Sequence, residues 1–355
     1  MFLPFASLLA ATAVVIHPDP LNGSVQTLIN DYLASKGKLE DVTGIATSIF
    51  LPKQTGALEG KIKTYYTGTQ GLIPYNRLVS KTNLFQIGSI TKSYVAAILL
   101  QLEGEGKLSL DDSLGKWLPT YKQWSHVTIT QLLNMTSRIP SYSKNKDFDE
   151  VLNNNLQKKW SNDQLLHYAD PQAVLDNKIH FDYSNTNYIL AALIIEQVTH
   201  DSFANQLQKR ILDPFNLKNT FYPDLNNQEL YLRLQPRLAH GYFYDRKEQR
   251  LIDITRGNLS WAGAAGALIA DMPDVIRWVQ YLYHGRLFAE TYRQSALQKL
   301  TRLVSMSTGK PINNVSAQDP KGFGLGIGYY YDEKMNNRFW IYEGSTLGYR
   351  VMYIL

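Results

Sequence analysis

The sequence contains no cysteine, and this absence excludes several kinds of chemistry at once. Without thiols the chain has no disulfide, no thiolate zinc site and no cysteine nucleophile. The motifs G-x-G-x-x-G, G-x-x-x-x-G-K-[ST] and G-x-S-x-G are also missing, which argues against dinucleotide sites, phosphate loops and a nucleophile elbow. The seven histidines show neither H-x-H nor H-E-x-x-H spacing, so the sequence predicts no metal and no cofactor.

Charge of either sign is scarce and evenly spread. Charged residues make up 19% of the 355 residues and hydrophobic residues 44%, which is typical of a folded protein with a core. The formal net charge is +5, but no five basic residues stand together, so we expect no nucleic-acid partner. The length allows one large domain or two closely packed ones, since a domain averages about 150 residues.

Long hydrophobic runs are limited to residues 2–16, which are too short to span a bilayer, since that takes about 20 residues. Ala11-Thr12-Ala13 offers a cleavage site, so we predict a signal peptide over residues 1–20, a periplasmic or secreted location and no stable transmembrane span. The alternative is a buried N-terminal segment, because no Lys or Arg precedes the run. The final residues, VMYIL, end inside an apolar run, which we interpret as truncation.

The periodicity of the apolar residues changes twice along the chain. Residues 44–51 and 61–67 predict a β-hairpin, and the runs that start at Gly324, Arg338 and Tyr349 predict antiparallel strands. Between them, helical stripes dominate. We therefore predict a discontinuous α/β sheet domain (residues 21–85 and 255–355), a mainly helical domain (residues 86–254) and a cleft where they meet.

One S-x-x-K pair stands apart from the six in the chain. Only Ser89 of Ser89-Ile90-Thr91-Lys92 follows a glycine and opens a long apolar helix, where helix N–H groups favour an alkoxide. Lys92 would lie one turn away on the same face, with a pKa lowered by burial and by the helix dipole. Such a lysine can take the serine proton, whereas an exposed one cannot. The alternative is an ordinary surface pair.

Two further segments place polar groups where a cleft would lie. Tyr183-Ser184-Asn185 is the only Y-x-N among 23 tyrosines and precedes a helix, so Tyr183 could shuttle a proton and Asn185 hold a substrate carbonyl, unless both only cap the helix. Tyr342-Glu343-Gly344-Ser345 ends a strand, so the N–H of Ser345 could serve with that of Ser89 as an oxyanion hole, unless the segment is a plain hairpin bend.

Together the three segments resemble the serine β-lactamase and penicillin-binding family, in the branch of class C β-lactamases, D-Ala-D-Ala carboxypeptidases, and related esterases and D-amino-acid peptidases. The resemblance runs from about residue 45 to the end and includes FQIGSITKSYVAAILLQLEGEGKLSLDDSLGKWLP, VTITQLLNMTSRIP and FDYSNTNYILAALIIEQVT in the family's order. It implies an α+β fold of the β-lactamase/transpeptidase type, an antiparallel sheet flanked by helices plus an inserted all-helical domain.

The resemblance also implies roles for single residues. Ser89 would be the acylated nucleophile, Lys92 its proton acceptor and Tyr183 the general acid/base, with the Ser89 and Ser345 N–H groups as oxyanion hole. The substrate-binding residues would be Asn185, Tyr342, Glu343 and Gly344.

The chain departs from the family's pattern in two places. The third motif usually begins with Lys or His, and Tyr342-Glu343 replaces a cation that would meet a substrate carboxylate. Strand alternation puts the two side chains on opposite faces, and the pattern alone leaves open which one faces the cleft. Where relatives usually have H-T-S-G, this chain has Met135-Thr136-Ser137-Arg138.

The sequence therefore predicts a serine acyl-hydrolase with a small-molecule or peptide substrate. A D-Ala-D-Ala carboxypeptidase-like enzyme or a D-amino-acid peptidase or esterase ranks above a class C-like β-lactamase, because the third motif lacks its cation. A different class of function is a catalytically weak protein that binds peptidoglycan or a partner through the same cleft. Intact Ser89, Lys92, Tyr183 and Asn185 argue against it.

Overall fold

The chain forms helices and antiparallel strands in the computed structural model, which describes residues 21–54, 59–170, 178–223, 228–245 and 249–355. The signal peptide predicted for residues 1–20 lies outside the described residues. The helices, α1 to α12, are Leu21–Lys36, Thr91–Gly104, Leu114–Trp117, Ile129–Leu133, Lys146–Asn154, Asn162–His167, Thr186–Thr199, Phe203–Leu207, Gln228–Leu234, Gly263–Gly266, Met272–Tyr283 and Glu290–Leu300. The strands, β1 to β13, are Gly44–Pro52, Gly60–Gly68, Phe85–Gln86, Thr220–Phe221, Tyr242–Asp245, Arg250–Asp253, Ile269–Ala270, Leu303–Ser305, Pro311–Ile312, Lys321–Phe323, Gly328–Asp332, Asn337–Ser345 and Arg350–Ile354.

The largest sheet comes from the C-terminal part of the chain. Its order is β13-β12-β11-β10-β8-β9, and every neighbouring pair is antiparallel. The hairpin predicted near residue 44 is confirmed as β1 and β2, paired from Gly44 with Gly68 to Pro52 with Gly60. Helix α11 packs on both strands of that hairpin, so segments from the two ends of the chain meet.

Two helices, α2 and α7, occupy the centre of the molecule. Both are apolar almost all round, which is the pattern of a helix buried on every side. They pack on each other, and α4, α8 and α10 surround α7 or α2. The main core cluster runs from Ile87 to Tyr353, and it therefore joins the helical middle of the chain to the C-terminal sheet.

The short helices of the middle segment are set by side-chain caps. Thr128 with Gln131 starts α4, and Ser161 with Gln164 starts α6; each pair is a reciprocal capping box. The Asn145 side chain also caps the start of α5, without a reciprocal side-chain bond. These caps matter because helices of five to nine residues are too short to be stable alone.

The mixed helix and antiparallel-sheet fold is the one predicted, with two local corrections. The strand expected from Gly324 begins only at Gly328, because Gly326 adopts a positive φ of 72° and the Gly324 N–H bonds to the Ile327 carbonyl at 2.8 Å. The mainly helical stretch 86–254 also contains the hairpin of β5 and β6. The division into two domains stays a prediction. No helix within the described ranges has both the length and the apolar character needed to cross a bilayer.

Candidate active site

Ser89 lies in a tight turn that leads into α2. Residues Gly88–Ile90 form one 3-10 turn, Gly88 has a φ of 50°, and α2 begins at Thr91. The Thr91 hydroxyl donates to the Gly88 carbonyl at 2.7 Å and accepts from the Leu268 N–H at 3.2 Å, which fixes the turn against the chain that precedes α11. Ser89 itself is half-buried, so its hydroxyl stands at the boundary between core and solvent.

Lys92 is buried completely, with no exposed side-chain surface. Its Nζ lies 3.0 Å from the Ser89 Oγ and donates to the Ala265 carbonyl at 2.7 Å. Burial lowers the pKa of Lys92 well below its ordinary value, because the ammonium form loses its hydration. The amine is thus held within hydrogen-bond reach of the hydroxyl, in an environment that favours the neutral base.

Tyr183 completes a cluster of three polar side chains. Its ring lies under the Lys92 amine, with 4.9 Å between Nζ and the ring centroid, and its hydroxyl hydrogen-bonds to that of Tyr342 at 2.9 Å. Burial raises the pKa of Tyr183 to about 12, and interactions with the Ser89 and Tyr342 hydroxyls oppose this only in part. The phenol therefore stays protonated at neutral pH, where it can donate a proton but cannot act as a resting base.

The loop that carries Tyr183 is supported by the Met135-Thr136-Ser137-Arg138 segment. The Asp182 N–H donates to the Met135 carbonyl at 2.9 Å, and the Ser137 hydroxyl donates to Asn187 at 2.7 Å. Met135 and Arg138 both have positive φ values, 65° and 67°, in the left-handed region that favours glycine. The segment is therefore a structural support for the Tyr183 loop.

Asn185 has partners that the sequence did not indicate. Its side-chain Nδ2 donates to the Ser143 Oγ at 2.8 Å, and its backbone N–H donates to the Ser141 Oγ at 3.0 Å. It directly precedes α7 but makes no side-chain capping bond, so the capping alternative is wrong for this residue. Ser141 and Ser143 each begin another S-x-x-K match in the sequence. Only their position in the structure shows that they are neighbours of the site.

The two residues of the altered third motif face opposite ways. Tyr342 is buried, and its hydroxyl lies 2.9 Å from that of Tyr183. Glu343 lies on the other face of β12 and pairs with Arg350 of β13, with 2.8 Å between Oε1 and Nε. The structure thus brings Tyr342 to the cluster, while Glu343 is engaged with Arg350.

The end of β12 packs directly on the Ser89 turn. A Cβ atom at Gly344 would lie 1.9 Å from the Ile87 carbonyl oxygen and 2.9 Å from the Ser89 nitrogen. A Cβ atom at Gly88 would lie 2.5 Å from the Ser345 nitrogen. Both positions therefore require glycine, and this close approach brings the backbone N–H groups of Ser89 and Ser345 to the same small region.

A small cavity near this turn has only about 10 Å³ of space for the centre of a water molecule, which is room for about one water. Gln86 lies three residues before Ser89 and Leu347 two residues after Ser345, so both stay within roughly 11 Å of the turn along the chain. Thr346 links the two by donating to the Gln86 Oε1 at 2.8 Å. The lining includes Gln86, Leu156, Ile254, Leu259, Trp261 and Leu347. The lining is mainly apolar, and the space is too small for a substrate side chain.

The described part of the chain holds no cluster of three or more His, Cys, Asp or Glu side chains arranged around a common metal position. Sequence reasoning missed the Ala265 carbonyl that accepts from Lys92 and the Ser143 hydroxyl that holds Asn185. The first belongs to the run AGAAGALIA, whose small residues are the only sequence signal of a close backbone approach.

The fold and the clustered serine, lysine and tyrosine define a protein of the β-lactamase/transpeptidase type. The sequence model of the Beta-lactamase family matches residues 63–355, and the chain belongs to that family, whose members are serine hydrolases. The chain is similar to penicillin-binding protein 4* of Bacillus subtilis (strain 168). The two are 28% identical over 246 residues, 66% of this chain and 51% of that protein. The chain spans about half the length of the curated relatives it matches.

Two solved structures are similar over most of the chain. A D-stereospecific amidohydrolase from Streptomyces sp. is 26% identical, with a TM-score of 0.71 over 92% of this chain and 88% of that one. The D-amino acid amidase of Ochrobactrum anthropi SV3, solved in complex with D-phenylalanine, has a TM-score of 0.73 and 22% identity over 92% of this chain and 85% of that one. The second similarity concerns the fold alone.

Proposed function

We propose that this chain is a serine acyl-hydrolase that forms a covalent acyl-enzyme on Ser89 and acts on amides, peptides or esters of D-amino acids. The observation that carries the proposal is the fully buried Lys92 amine at 3.0 Å from the Ser89 hydroxyl. A desolvated lysine costs stability, and a paired hydroxyl is the group that its neutral form can activate. The D-stereospecific amidohydrolase similarity supports the D-amino-acid preference.

The proposed reaction gives each group of the cluster a defined role. Neutral Lys92 takes the Ser89 proton as the Oγ bonds to the substrate carbonyl carbon, and the N–H groups of Ser89 and Ser345 bind the resulting oxyanion. The bond to the leaving nitrogen or oxygen then breaks, and Tyr183 donates the proton that the leaving group needs while recovering one from Lys92. Water attacks the acyl-enzyme by the reverse set of proton transfers and releases the acid.

Tyr342 supports a substrate without a carboxylate beside the scissile bond. The resemblance puts a Lys or His at this position in relatives, whereas here a neutral, buried phenol bonds to Tyr183. Burial raises the pKa of Tyr342 well above its ordinary value, so the phenol stays neutral and supplies no positive charge to a substrate carboxylate. Losing such an ion pair costs about 1–3 kcal/mol, or about 10–100-fold in affinity. We therefore rank amides and esters above D-Ala-D-Ala carboxylates and β-lactams.

The test is labelling followed by a substrate panel. A fluorophosphonate should form one adduct on Ser89 by mass spectrometry, absent in Ser89→Ala and kept in Ser35→Ala, which removes another S-x-x-K serine. The panel is D-alanine and D-phenylalanine p-nitroanilides, a p-nitrophenyl ester, a D-Ala-D-Ala peptide and nitrocefin. We expect Ser89-dependent turnover of an amide or ester to exceed that of nitrocefin.

Three results would contradict parts of this proposal. An adduct that persists in Ser89→Ala would refute the nucleophile. Rapid, Ser89-dependent nitrocefin turnover would make the chain a class C-like β-lactamase. Labelling without turnover of any substrate would favour the alternative of a protein that binds peptidoglycan or a partner in its cleft.

The location is also a proposal. We propose that the protein is exported to the periplasm or secreted, on the basis of the signal peptide predicted over residues 1–20 and of the family's usual location. Expression of the full chain in a bacterial host should give an extracytoplasmic protein that is shorter than the translated product by about 13–20 residues at its N-terminus. N-terminal sequencing of the purified protein checks the cleavage, and retention of Met1 in the cytosolic fraction would contradict it.

A further inference from the structure

Exposed apolar side chains are concentrated on one region of the surface. Of the eleven large exposed apolar side chains in the described ranges, six lie in two adjoining segments. They form what we call the apolar patch: Leu72, Ile73, Tyr75, Leu78, Tyr244 and Leu251. Ile73 is 84% and Leu78 75% exposed, and residues 72–78 are exposed without interruption. An exposed apolar cluster of this kind marks a surface that another phase or molecule covers.

The 72–78 loop is held in an ordered conformation. The Tyr75 N–H bonds to the Leu72 carbonyl at 2.6 Å, and the Gln70 N–H bonds to the Arg77 carbonyl at 2.7 Å, so the loop is a closed turn. The Tyr75 ring stacks on His240 with 3.9 Å between centroids. Leu72 and Ile73 are thus presented to solvent by a fixed turn and are not free to fold back into the core.

The β5–β6 hairpin extends the patch beside the loop. The Tyr242 hydroxyl accepts from the Leu72 N–H at 2.7 Å, which docks the loop on one face of β5. Tyr244 is two residues further along β5 and shares that face, and Leu251 is its cross-strand partner on β6. The six side chains therefore belong to one continuous surface.

Basic side chains border this surface. The stretch 69–81 contains Arg77 and Lys81 and no acidic residue, and the Arg256 guanidinium donates to the Tyr75 hydroxyl at 3.2 Å. Arg250 lies on β6 next to Leu251. The acidic groups of strands β5 and β6 are Asp245 and Asp253, and Asp253 pairs with His240 at 2.6 Å. The border thus carries more positive than negative charge, as does the whole chain at +5.

We propose that the apolar patch docks the protein on the surface of an anionic lipid bilayer. Leu72 and Ile73 at the tip enter the boundary between headgroups and acyl chains, the tyrosines lie at headgroup level, and the basic border meets the lipid phosphates. A second copy of the chain fits less well, because a two-fold contact would bring the same basic residues together. An anionic polymer would use the charges but leave the apolar tip in water.

The test uses the full chain with vesicles of phosphatidylglycerol and phosphatidylcholine, compared with phosphatidylcholine alone, in a flotation assay. We expect binding to the anionic vesicles that falls when salt is raised. Ile73→Glu should weaken vesicle binding at least about tenfold. The double variant Arg77→Glu/Lys81→Glu should do the same, since each basic residue near such a surface contributes about fivefold to binding. The matched control is Ile179→Glu, which alters a side chain 64% exposed outside the patch.

Residues 1–20 have the same sequence in every variant, cleaved or uncleaved, so any contribution from their apolar run cancels in the comparison. Equal binding by Ile73→Glu and wild type, or equal losses in Ile73→Glu and Ile179→Glu, would overturn the proposal. The proposal would also be overturned if the wild type bound no vesicles and formed a dimer that Ile73→Glu dissociates. The apolar patch would then be the contact surface for a second copy of the chain. Labelling of Ser89 by fluorophosphonate in each variant confirms that the fold is intact and is independent of lipid.

Discussion

A single buried amine determines the chemistry of the site. Lys92 was predicted to be desolvated because it follows Ser89 by three residues at the start of an apolar helix, and it has no exposed surface. Its role as base stays a prediction. Two partners, the Ser89 hydroxyl and the Ala265 carbonyl, compensate only part of the hydration that the ammonium form would lose. The protein therefore gives up stability at this position to keep an amine of lowered pKa beside the hydroxyl.

The stability cost of Lys92 should depend on pH. Below the ordinary lysine value of 10.5 the unfolded chain binds a proton at Lys92, while the folded chain, with its lowered pKa, does not. The wild type should therefore lose stability relative to Lys92→Met as pH falls, by about 1.4 kcal/mol per unit, until the folded pKa is reached.

Urea unfolding of both proteins between pH 6 and pH 10 measures the difference. Ser89→Ala is the control, since it keeps Lys92 and should follow the pH dependence of the wild type. A gap between wild type and Lys92→Met that stays constant with pH would show that the amine is already charged in the folded protein.

At the scale of elements, the site depends on contact between a strand end and a helix start. Gly344 at the end of β12 and Gly88 before α2 allow the two backbones to approach more closely than any side chain permits. The β1–β2 hairpin was predictable because its alternating residues specify both the strands and their face. The approach of β12 to the Ser89 turn was not, because the two segments lie some 255 residues apart and only packing decides their distance.

Gly344→Ala should separate these two backbones. Its Cβ would lie 1.9 Å from the Ile87 carbonyl oxygen, a backbone atom that cannot rotate away. We expect a loss of at least about 1–3 kcal/mol in stability, and a fall in kcat with an unchanged rate constant for non-covalent substrate release. Thermal unfolding and pre-steady-state kinetics check both. Gly23→Ala, where a Cβ would meet no atom within 4 Å, is the matched control: it should leave kcat unchanged and, because Gly23 lies in α1, should raise stability by at most about 1 kcal/mol.

The whole molecule is joined by one continuous core. Lys92 lies in the first turn of α2, and Ser89 lies in the turn just before it. Helix α2 packs on α7 and α10. Its residue Tyr94 stacks on Trp278 of α11, with 3.6 Å between ring centroids. The Trp278 Nε1 also donates to Ser93 at 2.8 Å. The segments predicted to form two domains therefore share buried surface through α2, although their division as domains stays a prediction.

Unfolding should accordingly be a single transition. Because the main core cluster reaches from Ile87 to Tyr353, loss of packing in either part exposes apolar surface of the other. We expect the urea midpoints of far-UV circular dichroism, tryptophan fluorescence and Ser89 labelling to coincide. Two separated midpoints, with labelling lost at the lower one, would show instead that the parts unfold independently.

The sequence by itself determined which nearby residues share a helix face or pair in a hairpin. The Ser89 and Lys92 side chains share a helix face because a three-residue step nearly completes one turn, and the 44–51 and 61–67 runs pair because a short connection joins them. Tertiary packing alone decided that Tyr342, not Glu343, meets Tyr183, that Ser143 holds Asn185, and that the Ala265 carbonyl accepts from Lys92. Each of these contacts joins residues at least 42 positions apart, and helical or strand periodicity sets the face of a residue without setting which distant segment covers it.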